Sequence, residues 1–528
     1  MNNSSNRFLL PFIGTILIVV GILIGLVLSK PKSMFTDTSS GYEQKLSDII
    51  NILDKEYVDS VDKEKLFEKT ISEMLHRLDP HSNYIPASEL KAMNESIQGK
   101  FGGVGIRFTI YKDTLNVTNV IENSPAFNVG VKQFDQIISV DGENIANAEL
   151  TNKRVQELLK GESGTDVEVE ILRRDEQFKR TITRGMVPIE SINASYMIDE
   201  SIGYIRLSQF SVMSDKEFYN AALELQTKGM KKLIFDLRYN GGGVMGSAVN
   251  IVDALLEKGL PIVSTKGKNS PEEIVTSKND PFLGDIELAV LINESSASAS
   301  EIVAGAIQDN DRGTIVGRRS FGKGLVQQDI ELKDGSNLRL TVSRYYTPTG
   351  RCIQKDYSGD YEDYIMDEMK RYENGELYKV DTTLFHDSLE YTTPGGKTVY
   401  GGGGIMPDVF VPLDTTGSSP YHRSLRFSNA FSDFAYNYVR FNDFSKWNSY
   451  QKFSKSFIVS NALLNEFTTY AEEEFEIAFN QPQFEAAKDK IIINLKAEIA
   501  RQIWLEQGAF YILNQNDTEI NKAIEVLK

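Results

Sequence analysis

Leu288-Ala289-Val290-Leu291-Ile292, followed by Asn293-Glu294-Ser295-Ser296-Ala297-Ser298-Ala299-Ser300-Glu301, is the stretch on which the reading of this chain turns. An apolar strand runs into small hydroxyl residues that open a helix extending from about Ser298 to Asp309. Small residues at such a turn let the backbone bend tightly. They also aim a hydroxyl outward at a helix N-terminus, where amides and the helix dipole favour developing negative charge. That suits a serine nucleophile; taken alone, it also suits a serine that only caps the helix.

Working outward, residues 187–354 alternate strand and helix. Ile202–Ser208, Leu233–Leu237 and Thr314–Val316 read as further strands, and Asp215–Lys228 and Val244–Leu256 as helices, which is α/β layering. Leu325–Leu332 and Leu338–Tyr346 flank Asp334-Gly335 as a hairpin. An irregular, acidic excursion at about 355–400 precedes a last strand, Asp408–Val411, and residues 413–528 read as helical. On the other side, residues 99–186 carry short strands (Leu115–Val120, Gln136–Val140, Val167–Leu172) and a helix at Asn152–Lys160. Residues 42–98 have helical periodicity, ending its second helix at Asp79-Pro80, and 31–41 read as a linker.

Composition narrows the function. A net charge of −17 argues against nucleic acid as a partner. The lone Cys352 permits no intramolecular disulfide, and four histidines (His76, His81, His386, His422) without an HExxH pair make a zinc hydrolase a poor fit, so no metal or organic cofactor is expected. The uncharged run Phe8–Leu28 is long enough to cross a bilayer. A membrane anchor within residues 1–30 is preferred over a cleaved signal, which puts the body of the chain on the extracytoplasmic side, in the periplasm or cell envelope.

A second constellation is Ser320-Phe321-Gly322-Lys323-Gly324-Leu325-Val326-Gln327-Gln328. With Gly317 it is nearly a P-loop, but Gly324 replaces the Ser or Thr and a strand follows where a helix should. A glycine-flanked lysine can instead serve as a base once burial lowers its pKa. Asp236-Leu237-Arg238-Tyr239-Asn240-Gly241-Gly242-Gly243 is a strand running into a glycine turn that can point amides at an oxyanion. The loop Gly102-Gly103-Val104-Gly105-Ile106 offers amides for a terminal carboxylate and a strand edge for an extended tail.

Ser296–Glu301 and Phe321–Gln328 together resemble the C-terminal processing peptidases, or tail-specific proteases, of the Ser/Lys type. The resemblance implies that Ser298 is the nucleophile, Lys323 its base and Gln327 the group orienting the lysine. It implies structural roles for Ser296 and Ser300, and support from Glu301. The glycine turn resembles the family's D-L-R-x-N-P-G-G with Gly241 in place of proline, which implies an oxyanion hole from the amides of Gly242 or Gly243 and Ala299. Ser124-Pro125-Ala126 and Asp135–Gly142 resemble PDZ elements, with Phe134 where glycine is common; Gly103, Val104, Gly105 and Ile106 would then bind the substrate tail. His81, the best candidate for a triad base, lies in Leu78-Asp79-Pro80-His81-Ser82, which resembles the family's structural helix-to-PDZ connection.

The expectation is therefore a multidomain α+β and α/β chain. It comprises an anchor (1–30), a helical segment (42–98), a PDZ domain (99–186), a peptidase core (187–412, with its insertion at about 355–400) and a helical C-terminal domain (413–528). The expected activity is that of a serine endopeptidase cutting extracytoplasmic proteins at or near their C-termini. Its partners are protein or peptide tails and the membrane, with oligomerisation or adaptor contact left to residues 413–528. The rival readings are a silent PDZ scaffold or chaperone and an ATP-using protein.

Overall fold

The computed structural model describes residues 41–380 and 389–528; the expected anchor lies outside the described residues. Among the described residues no helix is long and apolar enough to cross a membrane. The chain divides into two units, Met1–Ser72 and Glu73–Lys528. In the first, helix Gly41–Glu56 has no buried residue, and its Leu46, Ile49 and Leu53 are exposed.

In the second unit, residues 100–188 build an antiparallel sheet from the period-two alternation seen along Asp166–Arg173, where Val167, Val169 and Ile171 point inward. Its strand order is Ile106–Tyr111, Thr114–Val120, Gln136–Val140, Asp166–Arg173, Glu176–Thr183, so Ile106–Tyr111 keeps one edge unpaired. Helix Asn152–Leu159, capped by the Thr151 hydroxyl, buries Val155 and Leu159 against the same core.

The next sheet holds the candidate site. Its order is Ile192–Met197, Ile202–Leu207, Lys232–Asp236, Glu287–Ile292, Thr314–Gly317, Val409–Phe410. The first pair is antiparallel and the rest are parallel. A parallel sheet needs cover on both faces. Leu233, Phe235, Leu288, Val290 and Ile292 face helices Ser214–Thr227, Met245–Asp253 and Ala299–Asp309. Ile234, Ala289, Leu291 and Val316 face the other way, and what covers them is Ile520, Ala523 and Leu527 at the C-terminal end of the chain. The last helix, Thr518–Val526, is thus the second layer of the α/β core.

A separate antiparallel sheet pairs Asn83–Ile85, Asn337–Tyr346, Pro261–Lys266 and Glu273–Thr276, with Leu325–Glu331 also on Asn337–Tyr346. Strands Asn83–Ile85, Ile192–Met197, Pro261–Lys266 and Glu273–Thr276 were not read from the sequence. The excursion is more ordered than its composition suggests. Short helices Tyr361–Ile365 and Asp367–Glu373 and a hairpin of Glu390–Thr392 with Thr398–Tyr400 fill its described part. Buried Arg371 ties it to the core, donating to the Ser320 and Arg319 carbonyls and to Glu376.

The C-terminal helices, from Pro420–Phe427 to Gln481–Leu513, have their own aromatic core. Helix Gln481–Leu513 is interrupted at Trp504 and Leu505. Phe134 takes φ +70°, the region where glycine would be at ease, and its ring packs 5.5 Å from that of Tyr436 in the C-terminal helices.

Candidate active site

Ser298 ends the turn after strand Glu287–Ile292 and precedes helix Ala299–Asp309 with φ +55° and ψ −112°, a conformation non-glycine residues avoid. The surroundings hold it there. The Ser296 hydroxyl donates to the Leu237 carbonyl, and the Ser300 hydroxyl and the Ala297 amide both donate to the Asn240 carbonyl, so the serine turn is stitched to the glycine loop beside it. The Tyr345 hydroxyl donates to the Ser298 carbonyl at 3.2 Å.

The fully buried Glu301 carboxylate joins this turn to the lysine loop. Its Oε2 accepts from the Ser298 amide at 2.8 Å and from the Lys323 amide at 2.9 Å. Its Oε1 accepts from the Gly322 amide at 2.6 Å and the Ser320 hydroxyl at 2.5 Å. The backbone nitrogens of Ser298 and Lys323 therefore lie no farther apart than those two bonds laid end to end. Burial raises the Glu301 carboxyl above the usual carboxylate range, against the pull of these four donors.

Burial also pushes the Lys323 ammonium below its ordinary value; Arg339 adds to that, while Glu301 and Asp79 oppose it. Gln327 donates from Nε2 to the Thr341 hydroxyl at 3.3 Å, and Thr341 donates to Asp79 Oδ1 at 2.9 Å. That chain leaves Gln327 Oε1 as the atom able to accept from an amine. Asp79 is itself fixed by the amides of His81 and Ser82 and the Ser82 hydroxyl. Sequence reading missed the Asp79–Thr341–Gln327 chain and Tyr345, because their partners lie far apart along the chain.

Gly242 sits against the serine turn: a Cβ there would come 2.8 Å from Ser298 Cβ and 2.7 Å from the Ala297 carbonyl oxygen. Its own N–H donates to Asn240 Oδ1 at 2.9 Å, so it is not available to an oxyanion. The parallel bridge to Phe210 uses the Gly242 carbonyl and the Val244 amide, and the amides of Gly243 and Ala299 have no acceptor among the described residues. Of the three sequence-derived oxyanion donors, Gly243 and Ala299 remain.

His81 accepts or donates one hydrogen bond, Nε2 to the Tyr364 hydroxyl at 2.8 Å. Burial, with Lys323 adding to it, pushes its pKa down to about 3, so it is neutral and a poor proton acceptor near pH 7. The near P-loop is not a phosphate cradle. The amides of Gly322 and Lys323 go to Glu301, that of Gly324 to Gln354, that of Ser320 to Ile405 and that of Phe321 to Ser296. A cleft of about 1210 Å³ is lined by Asp79, Gln354, Lys355 and Tyr361.

In the first sheet, Gly105 has φ +84°, and a Cβ there would come 2.2 Å from Ser124 Cβ. The carbonyls of Val104 and Gly105 accept from Ala126 and Ile121, while the amides of Val104 and Gly105 have no acceptor among the described residues. Gly103 precedes them at the end of a strand paired with Gly185–Pro188, and Ile106 opens the edge strand. Among the described residues no cluster of His, Cys, Asp and Glu can hold a metal ion.

Comparison with known proteins finds matches to three stretches of the chain. The description "Peptidase family S41" matches residues 201–363, "PDZ domain" matches 102–183, and a family of unknown function, DUF8443, matches 421–505. A carboxy-terminal-processing protease of Bartonella bacilliformis is 39% identical over 320 residues, 59% of this chain and 72% of that protein. A probable CtpA-like serine protease of Staphylococcus aureus is 32% identical over 364 residues, 66% of this chain and 72% of its own length. Among solved structures, the photosystem II D1 C-terminal processing protease is similar at 27% identity and a TM-score of 0.36, covering 70% of this chain and 86% of that one.

Proposed function

Because the chain belongs to the carboxy-terminal-processing proteases, serine-type peptidases of family S41 with a PDZ domain, we propose that it is an endopeptidase whose Ser298 and Lys323 act as nucleophile and base. The observation that carries this reading is the shared Glu301 Oε2, which tethers the backbones of both residues. Lys323, its charge disfavoured by burial, takes the Ser298 hydroxyl proton as Oγ attacks the scissile carbonyl. The amides of Gly243 and Ala299 receive the oxyanion. The tetrahedral species collapses to an acyl-enzyme as the proton passes from Lys323 to the leaving amine, and water, deprotonated by the same lysine, releases the acid. Gln327 Oε1, aligned by Thr341 and Asp79, holds the amine.

Substrate capture belongs to the PDZ domain. The amides of Val104 and Gly105 take the tail carboxylate, and the unpaired edge of Ile106–Tyr111 pairs with the extended tail. Substrates are accordingly proteins with accessible C-terminal tails. The apolar run Phe8–Leu28 favours an extracytoplasmic, membrane-anchored enzyme.

The test is cleavage of an unstructured protein with an apolar tail, read by mass spectrometry of its fragments. S298A and K323A are expected to fold and to lose turnover by about 10³-fold or more. Undiminished cleavage by either variant refutes the pair; tail binding without cleavage by the wild type would return the molecule to the scaffold reading.

A further inference from the structure

The helix that closes the far face of the parallel sheet also delivers a buried carboxylate to the roots of all three loops of the candidate site. Glu519, in the first turn of Thr518–Val526, is only 7% exposed. Arg238 donates from Nη1 to its Oε2 and, at 2.8 Å, to Asp517; Arg318 donates from Nη1 to its Oε1 at 2.7 Å. Arg318 also donates from Nε to Glu294 Oε2 at 2.7 Å, and Arg238 from Nε to Asp236 Oδ1 at 3.0 Å.

Each of these core residues stands just past the end of one strand and at the start of one loop. Arg238 follows Lys232–Asp236 and leads into the glycine turn. Glu294 follows Glu287–Ile292 and leads to Ser298. Arg318 follows Thr314–Gly317 and leads to Lys323. The three strands are neighbours, so one carboxylate from the C-terminal helix, through two guanidiniums, links the roots of the glycine turn, the serine turn and the lysine loop. Arg238, Glu294 and Arg318 are all buried; without the Glu519 carboxylate Arg238 keeps Asp236 and Asp517 and Arg318 keeps Glu294, so each guanidinium is drawn toward its remaining partners and the link between the two is lost.

We propose that Glu519 is a positioning residue for peptide hydrolysis: the C-terminal helix aligns the catalytic loops through Arg238 and Arg318. This rests on the Ser298–Lys323 reading above and gives the last helix a role in turnover. Catalytic geometry tolerates little displacement, since a shift on the order of 1 Å costs about 10²-fold in rate.

The experiment uses the full-length protein and compares wild type, E519Q, E519D, I520V and S298A. It measures kcat and KM on an unstructured apolar-tailed substrate, binding of a labelled peptide with an apolar C-terminus and free carboxylate, and thermal melting. E519Q keeps the shape but loses the charge that both arginines face. Its kcat is expected to fall about 10- to 100-fold, with KM and tail binding within about twofold of wild type. E519D, which keeps the charge but not the reach, is expected to recover part of that loss. I520V loosens the same helix without touching the ion pairs, so it should lower Tm while leaving kcat near wild type. Wild-type kcat in E519Q would overturn the proposal, as would parallel falls in kcat, tail binding and Tm in both E519Q and I520V. If E519Q does not fold, E519D decides by the same readouts. If S298A cleaves like the wild type, the failure lies in the dyad reading and not in the brace.

Discussion

The turn at Ser298 and the turn at Phe134 both place a non-glycine residue in the left-handed region, at φ +55° and +70°, and they hold it by different means. Ser298 is fixed by polar contacts from within the peptidase core: Glu301 on its amide, Tyr345 on its carbonyl and Gly242 packed against its side. Phe134 belongs to the PDZ domain but is held by another module, with its ring on Tyr436 and the neighbouring Gln133 donating to the Gln502 carbonyl at 2.6 Å. The Tyr436 hydroxyl in turn donates to Asn116 on the PDZ sheet. The serine is held by contacts within its own module; the phenylalanine is held by contacts from another. Either conformation costs on the order of 1–3 kcal/mol and persists only because its surroundings over-determine it.

The largest expected break comes from the glycine beside Ser298. Gly242→Ala puts a methyl group 2.8 Å from Ser298 Cβ at φ +100°, so kcat/KM should fall by about 10²-fold or more. Gly241→Ala, with nothing within 4 Å of its Cβ, should stay near wild type. Equal activity in the two variants would show that the serine turn is not held from this side.

A second test sharpens the polar half of the comparison through pH. If Lys323 is the base, kcat/KM rises with pH as the amine loses its proton. Asp79 favours the charged amine and Arg339 disfavours it. Asp79→Asn should therefore move that limb to lower pH, and Arg339→Gln should move it to higher pH. Shifts of the same sign, or none, would remove the electrostatic account of Lys323.

The smallest effects belong to Phe134. Phe134→Gly relieves about 1 kcal/mol of backbone strain but deletes a half-buried ring whose loss costs more, so a net destabilisation of about 1–2 kcal/mol is expected in denaturant unfolding. Tyr436→Phe, which removes one hydrogen bond, should cost about 1 kcal/mol. Turnover of a short peptide that bypasses the PDZ domain should be unchanged in both. A more stable Phe134→Gly protein would mean that the ring does not anchor the PDZ domain.

Much of this was legible in advance where chemistry is local. The apolar run before Ser298, the glycine turn after Asp236 and the lysine between Gly322 and Gly324 are contiguous signals, and the strand Val167–Leu172 follows from its alternation of apolar and acidic residues. The excursion looked irregular because acidic composition hides short helices whose packing comes from elsewhere, here through Arg371 on the Arg319 and Ser320 carbonyls. The choice among oxyanion amides was equally hidden, since it depends on where the Asn240 side chain turns.

The sequence carried most strands and helices of the peptidase core and a glycine loop suited to a peptide tail in neighbouring residues, while the candidate nucleophile and base came from the resemblance of two short motifs to a known family. Only the tertiary structure decided that Glu301 joins serine to lysine, that Asp79 reaches Gln327 through Thr341, and that Glu519 bridges Arg238 and Arg318. Those are contacts between segments brought together by burying apolar faces, and hydrophobic periodicity records that a face is buried without recording what will cover it.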